Sequence, residues 1–454
     1  MKPFAQLGIP AVVVALAILI SPAVTRAQDF NDRGCAWPLQ ISPEGSGNVQ
    51  GPDGAARYWI MPFDTSQYTA MTIRGFFPNI RYFSFAAYET ITSESMTSFN
   101  LAEERTLYDA QIAPDPRTVN PFVPPEDDHH GKRSAGSPNG TYTVSISSTG
   151  ASSGNSIRVS SGVLVWVVLR MYVANADPTL SGQTLMGGVP LPTITLTRQN
   201  GASQQLLTCS PINKWQNASD FSRFLLPPSL NLSVDEGTPS SDRLWFAPVL
   251  KPPPILWPNP DNKYMMMWPG NKYESGRIIV IHGKAPGFPG TFEGSPIWVP
   301  SQGFRNVDLR YWALCEQDLA LPLSLIGCAT DFNTNLVGGY YTIVISDDLV
   351  RPEWLRPEVN WLPYGDEQYP KFVVIRNMLP ANDFSYAVQN AWPSCAFNLS
   401  FSSPPNRTAI DDAGPCAQGV MGDYYPVAAW CDKSTFIAGG VRACLKEWWK
   451  PGAE

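Results

Sequence analysis

Apolar and polar residues are grouped along this chain in short runs rich in β-branched and aromatic side chains, each bounded by Gly, Pro or Asn, and such runs predict β-strands. One segment departs from that pattern. Between Asp432 and Trp449, the residues Ile437, Val441, Leu445 and Trp448 recur at helical spacing, with Ser434 placed to cap the helix and Pro451 to end it. Gly439-Gly440 weakens this helix by roughly 2 kcal/mol relative to alanines.

The strand-like runs occur twice in the same order. Pro52-Asp53 with Arg57-Tyr58-Trp59 is answered by Pro260-Asp261 with Lys263-Tyr264-Met265, and Thr72-Ile73-Arg74-Gly75 by Val280-Ile281-His282-Gly283. Ile80-Arg81-Tyr82-Phe83 matches Leu309-Arg310-Tyr311-Trp312, and Thr141–Ser147 matches Tyr340–Ser346. Val167-Val168-Leu169-Arg170 matches Val373-Val374-Ile375-Arg376. Collinear matches at a shift of about 200 to 230 positions are the mark of an internal duplication. The expected fold is all-β, two tandem β-sandwich or jelly-roll-like domains followed by a short disulfide-stapled C-terminal tail. The boundaries drawn are a signal peptide over 1–27, a first sandwich over 28–226, a Pro-rich connector over 227–260, a second sandwich over 261–410 and a Cys-rich tail with a short helix over 411–454. The connector, with Pro227-Pro228 and Pro252-Pro253-Pro254, is expected to run extended or to wrap as an edge onto a domain. The tail has no counterpart in the first copy.

Arg310-Tyr311-Trp312, Asn360-Trp361-Leu362-Pro363 and Phe372–Arg376 together resemble the uncharacterised domain-of-unknown-function family twelve-fourteen, over residues 309–380. That resemblance implies a jelly-roll-like sandwich and no settled activity.

Composition narrows the setting. Charged residues make up 16% of the chain against 44% hydrophobic, and a net charge of −7 disfavours a nucleic-acid binder. Met1–Ala27 reads as a secretory signal, with Lys2 ahead of the apolar run Ile9–Ile20 and small residues at Thr25 and Ala27. No later segment is long and apolar enough to span a membrane. All eight cysteines follow it, which predicts export to an oxidising compartment and a disulfide framework. Cys35 is expected to pair with Cys209 and Cys315 with Cys328, while Cys395, Cys416, Cys431 and Cys444 staple the tail. No Cys-x-x-Cys pair is present, so zinc is not expected.

Strand alternation sets Arg81, Arg170, Arg310 and Arg376 on largely apolar faces. A guanidinium so placed needs a partner. The structural reading is an internal ion pair, with Asp109 and Asp331 as partners; the functional reading is a clamp for a carboxylate, sulfate or phosphate ligand. Asp127, Asp128, His129 and His130, in a long insertion of the first copy, form a candidate metal cluster. Tyr264, Trp268 and Tyr273 form a candidate sugar-binding platform. Glu316 with Asp318 is an acid pair of the kind glycosidases use, and any β protein offers such pairs. His282 is expected in a structural polar role. No serine-nucleophile elbow, zinc-protease motif or phosphate loop occurs, and no cofactor is expected. The expected function is a secreted, non-catalytic binding or structural protein whose partner is extracellular carbohydrate or another extracytoplasmic protein. The alternative is a secreted hydrolase with its active site between the domains.

Overall fold

A computed structural model of the chain describes residues 34–448, apart from 93–96, 103–105, 124–139, 151–153, 175–185, 211–212, 215–241, 251–256, 271–272, 292–306, 321 and 398–406. The signal segment and the Asp127–His130 cluster lie outside the described residues.

In the first copy the main strands are β1 (Ala56–Asp64), β2 (Tyr68–Phe76), β3 (Ile80–Thr92), β4 (Thr97–Leu101), β5 (Thr141–Ser147), β6 (Ser156–Arg158), β7 (Leu164–Ala174), β8 (Thr193–Arg198) and β9 (Ser203–Thr208). In the second they are β10 (Asn262–Met267), β11 (Arg277–Lys284), β12 (Leu309–Asp318), β13 (Leu325–Thr330), β14 (Tyr340–Ser346), β15 (Asn360–Pro363), β16 (Lys371–Pro380) and β17 (Val427–Asp432). One sheet of the first copy runs β1-β7-β3-β4, and its counterpart runs β10-β16-β12-β13. The other runs β9-β8-β2-β5-β6 and is answered by β17-β11-β14-β15. Even the parallel pairing of β5 with β6 recurs, between β14 and β15. Each copy is a two-sheet sandwich, and the duplication read from five sequence segments extends to every main strand except β9.

Patterning explains which sheets end up inside. Thr141–Ser147 alternates half-buried and buried side chains, because its sheet covers a core on one face only. The run Leu164–Ala174 is buried at nine consecutive positions. Val165, Val167, Leu169 and Met171 fill the sandwich interior, whereas Trp166 and Val168 pack on the opposite face with Trp257. Tyr172 and Val173 on that face join a cluster with Met266, Tyr311 and Val374 of the second copy. In β16, Val373 and Ile375 likewise face their own sandwich and Phe372 and Val374 face the first domain. The continuous apolar runs therefore mark strands covered on both sides. The result is four layers, with the sheets containing β7 and β16 back to back.

The connector and tail join this scheme. Arg243–Leu244 and Ala247–Pro248 add edge strands to the two sheets of the second domain, the wrapping alternative for a Pro-rich segment. The tail does have a counterpart in the first copy, since β17 pairs β11 just as β8 pairs β2. Three helices surround it, α1 (Val388–Cys395), α2 (Arg407–Met421) and α3 (Lys433–Leu445). The first two carry Pro393 and Pro415 inside, the residues that argue against a helix. In α3 the N-cap position belongs to Asp432, not Ser434, and Gly440 at φ 63° breaks the helical phase. Phe436, Cys444 and Leu445 consequently face the domain, and Ile437 is turned to solvent.

All eight cysteines are paired, as Cys35–Cys209, Cys315–Cys328, Cys395–Cys416 and Cys431–Cys444. The last two tie α1 to α2 and β17 to α3. Among the described residues, no helix is long and apolar enough to cross a membrane.

Candidate functional site between the domains

The back-to-back sheets are held by contacts that come in reciprocal pairs. Arg81 of the first copy reaches Asp331 of the second at 2.5 Å, and Arg310, its counterpart, reaches Asp109 of the first at 3.1 Å. Each aspartate also accepts a backbone N–H from its own domain, Asp109 from Phe83 and Asp331 from Trp312. Tyr82 donates to Asp261 at 2.6 Å across the interface, and Tyr311 donates to Asp53 at 2.6 Å in the other direction. The two ion-pair partners named from sequence are thus the right ones, exchanged between the copies.

Backbone conformation explains how the arginines get there. Val173 and Leu379 lie at φ 52° and 44°, opposite Arg81 and Arg310 respectively, and interrupt the β7–β3 and β16–β12 ladders. The N–H of Val173 bonds the carbonyl of Ala55, and that of Leu379 bonds the carbonyl of Asp261. The register is the same on both sides of each, so the two residues break the ladder locally without an inserted residue. These contacts also correct one match in the repeat. Asp53 accepts from the N–H two residues on and has its own N–H near the Tyr58 hydroxyl; Asn259 does the same with Tyr264. Asp53 is therefore equivalent to Asn259, by the same shift that relates Tyr58 to Tyr264 and Arg170 to Arg376.

The second pair of arginines is placed differently. Arg170 Nη2 donates to the Tyr88 hydroxyl at 2.6 Å and to the carbonyl of Trp257 at 2.7 Å. Arg376 Nη2 donates to the carbonyl of Gly51 at 3.0 Å, and its Nε stands 3.7 Å from Asp53 Oδ2. Gly51 and Trp257 are equivalent and both have positive φ, which glycine accepts freely and tryptophan does not. Both arginines line a cavity of about 70 Å³. Its walls include Gln50, Tyr58, Tyr172, Tyr264 and Gln317, over an apolar lining that contains Val168 and Met266.

Electrostatics separate the two pairs. Burial raises the carboxyl pKa of Asp331 to about 6 against the lowering effect of Arg81, and burial raises that of Asp109 against Arg310. Each aspartate is a counter-charge in a dry site. Arg170 makes no ion pair among the described residues; its neighbours are the phenols of Tyr88, Tyr172 and Tyr82, and Asp261 is the carboxylate whose ionisation it favours.

Other sequence candidates take structural places. Trp268 is buried against Phe397, and Tyr264 is half-buried at the interface, where it lines the cavity. Tyr273 packs on Tyr364 at 4.6 Å and donates to the Arg277 carbonyl. The three rings form no common exposed platform, because Trp268 is core, Tyr273 packs on Tyr364 and Tyr264 faces the domain contact. His282 hydrogen-bonds Thr342, stacks on Tyr340, and is pulled down to about 4 by burial, as a structural polar residue would be. Glu316 is fully buried facing its own sandwich, so it and Asp318 flank no open cleft. Gln50, Tyr58, Tyr172 and Trp257 were not singled out from sequence. Pairing Arg170 with Arg376 by the repeat, then asking which loops face both, is the signal that finds them.

No family model and no curated protein matches the chain. Among solved structures, an uncharacterised protein from Burkholderia cenocepacia is similar at 13% identity and a TM-score of 0.45, over 79% of this chain and 82% of that one. A Vibrio parahaemolyticus protein is similar at 12% identity and a TM-score of 0.34, over 80% of this chain and 92% of that one. Vicilin from Capsicum annuum gives a TM-score of 0.16 at 8% identity, over 83% of this chain and 89% of that one.

Proposed function

We propose that this chain is an exported, non-catalytic binding protein that meets an extracytoplasmic ligand between its two sandwiches. Four disulfides in a chain of low charge support the exported setting. The observation that carries the binding reading is how the polar groups at the domain contact are used. All four arginines have one guanidinium nitrogen without a hydrogen-bond partner among the described residues; Arg81 and Arg310 are ion-paired to Asp331 and Asp109 away from the cavity and serve cohesion, whereas Arg170, Arg376 and the likewise unpartnered Gln50 amide line the cavity.

The hydrolase alternative needs a base beside a nucleophile, or two carboxyls facing one cleft. Burial raises the carboxyls of Asp109, Asp261, Glu316, Asp318 and Asp331. Asp109, Glu316 and Asp331 are shut away from solvent, Asp109 and Asp331 are paired to arginines and Asp318 to Lys371, and Asp261 accepts from Tyr82 and Thr106. The purified mature protein should turn over nothing in a broad panel of glycoside, ester and phosphoester substrates. Turnover that is lost in Arg170→Met while the circular dichroism spectrum is unchanged would overturn this reading.

A further inference from the structure

The cavity lined by Arg170 and Arg376 has a defined chemistry. Arg170 is 1% exposed and Arg376 is 5% exposed, yet Nη1 of each has no hydrogen-bond partner among the described residues. The Gln50 amide, 8% exposed, also has neither its oxygen nor its nitrogen bonded there. Two buried cations line the cavity and no carboxylate does; Asp53, behind Arg376, spends Oδ1 on Tyr311 and the Ala55 N–H and keeps Oδ2 3.7 Å from Arg376 Nε. Charge in a low-dielectric interior is costly until it is neutralised. The donors on offer are N–H groups of two planar forks, the geometry that matches an oxyanion.

Volume limits the occupant. Cavities of about 150 Å³ admit a benzene ring. At about 70 Å³ this one has room for a group of a few heavy atoms and not for a pyranose.

We propose that the cavity is a binding site for a small oxyanion, a carboxylate or a phosphate-type group, held by the guanidinium groups of Arg170 and Arg376. The site rests on the binding reading above and gives it a ligand class. The anion completes the hydrogen bonding of both arginines and gives Arg170, whose bonds are otherwise to a phenol and a carbonyl, a direct ion pair. It also bridges the two sandwiches, since each arginine comes from a different copy.

The test uses the full mature chain at constant ionic strength, with chloride as the balancing anion. Sodium acetate and inorganic phosphate are titrated separately by calorimetry and by thermal unfolding, and then one against the other. Saturable binding of one anion per chain, with a rising unfolding midpoint, is expected, and the stronger of the two identifies the oxyanion type. Arg170→Met and Arg376→Met should each weaken that binding by at least about tenfold, and Arg376→Lys, which keeps the charge but loses the fork, should weaken it less. Because a methionine variant can loosen the interface as well, competition of the two anions for one site on the wild-type protein is an independent check. Absence of saturable binding by either anion to folded wild-type protein overturns the proposal. Binding of a neutral sugar that depends on Arg170 overturns the ligand class and leaves the binding reading standing. Substrate turnover overturns the binding reading itself.

Discussion

Arg81 Nη1 and Asp331 Oδ1 stand 2.5 Å apart with both side chains wholly buried, although they belong to different domains and lie 250 residues apart in the chain. Thr291 accepts a further bond from Arg81 Nε, and the guanidinium lies near the rings of Phe288 and Phe332. Removing one member of such a pair strands the other charge in a dry site. Arg81→Met should therefore cost about 3–5 kcal/mol of unfolding free energy. Combining it with Asp331→Leu should recover much of that loss, as a denaturant-melt double-mutant cycle would show. Arg310→Met should behave similarly through Asp109. Arg310 Nη1 also donates to the backbone carbonyl of Arg81, a bond that Arg81→Met leaves in place.

Glu316 offers a pH-dependent test. Burial pushes its carboxyl well above the usual value against the pull of Lys371, and both carboxyl oxygens lack a hydrogen-bond partner among the described residues. A carboxyl whose folded pKa exceeds its unfolded one makes the fold less stable as pH rises from the unfolded value upward. Glu316→Gln removes that penalty. The variant should be more stable than wild type at pH 8, and the gap should close toward pH 4. Thermal melts across that range check it, and a gap independent of pH would sink the assignment.

The disulfides should differ in worth by the length of chain they close. Cys35–Cys209 spans 174 residues and joins the strand at Cys35–Ala36 to β9, whereas Cys431–Cys444 spans 13. In the chain-entropy picture the first contributes about 5 kcal/mol and the second about 3. Paired Cys→Ala variants compared by urea unfolding should keep that order.

Gly75 and Gly283 occupy the same place in the two copies, each beneath a cross-strand tyrosine. A methyl group added at Gly75 would come within 2.5 Å of the Tyr142 hydroxyl, and one at Gly283 within 2.7 Å of the Tyr341 hydroxyl. Gly75→Ala and Gly283→Ala should each destabilise by about 1–3 kcal/mol through overpacking. Similar falls in unfolding midpoint are expected, and a silent variant in either copy would show that its tyrosine swings aside freely.

Much of the architecture was legible in the sequence because strands with fixed partners keep their pattern through a duplication. Arg81-Tyr82 and Arg310-Tyr311 survive together since each position touches the other copy, and Asp109 and Asp331 follow from the need to neutralise them. What could not be read was that the partners are exchanged between domains, because alternation assigns a face and says nothing of what covers it. The sugar platform failed for the same reason, as Tyr264 and Trp268 look alike whether a second sheet or solvent lies above them. Helices α1 and α2 were hidden by Pro393 and Pro415, whose local cost is outweighed by packing and by the Cys395–Cys416 bridge. The repeat pairs Arg170 with Arg376 and so points toward the cavity, but the equivalence of Gly51 and Trp257 in its wall stays hidden, because nothing in those two side chains suggests it.

The exchanged arginines make the molecule a dimer written into one polypeptide. Each half carries one guanidinium to give and one carboxylate to receive, the self-complementary surface that a two-fold homodimer requires. A true homodimer must repeat every feature on both sides of its axis. Fusion lifts that obligation, so one half alone can bear the helical wing of α1 to α3, and a chamber walled by both halves can have Gly51 at one end and Trp257 at the other. Such unequal ends allow a ligand to be held in a single orientation, which identical halves could not impose.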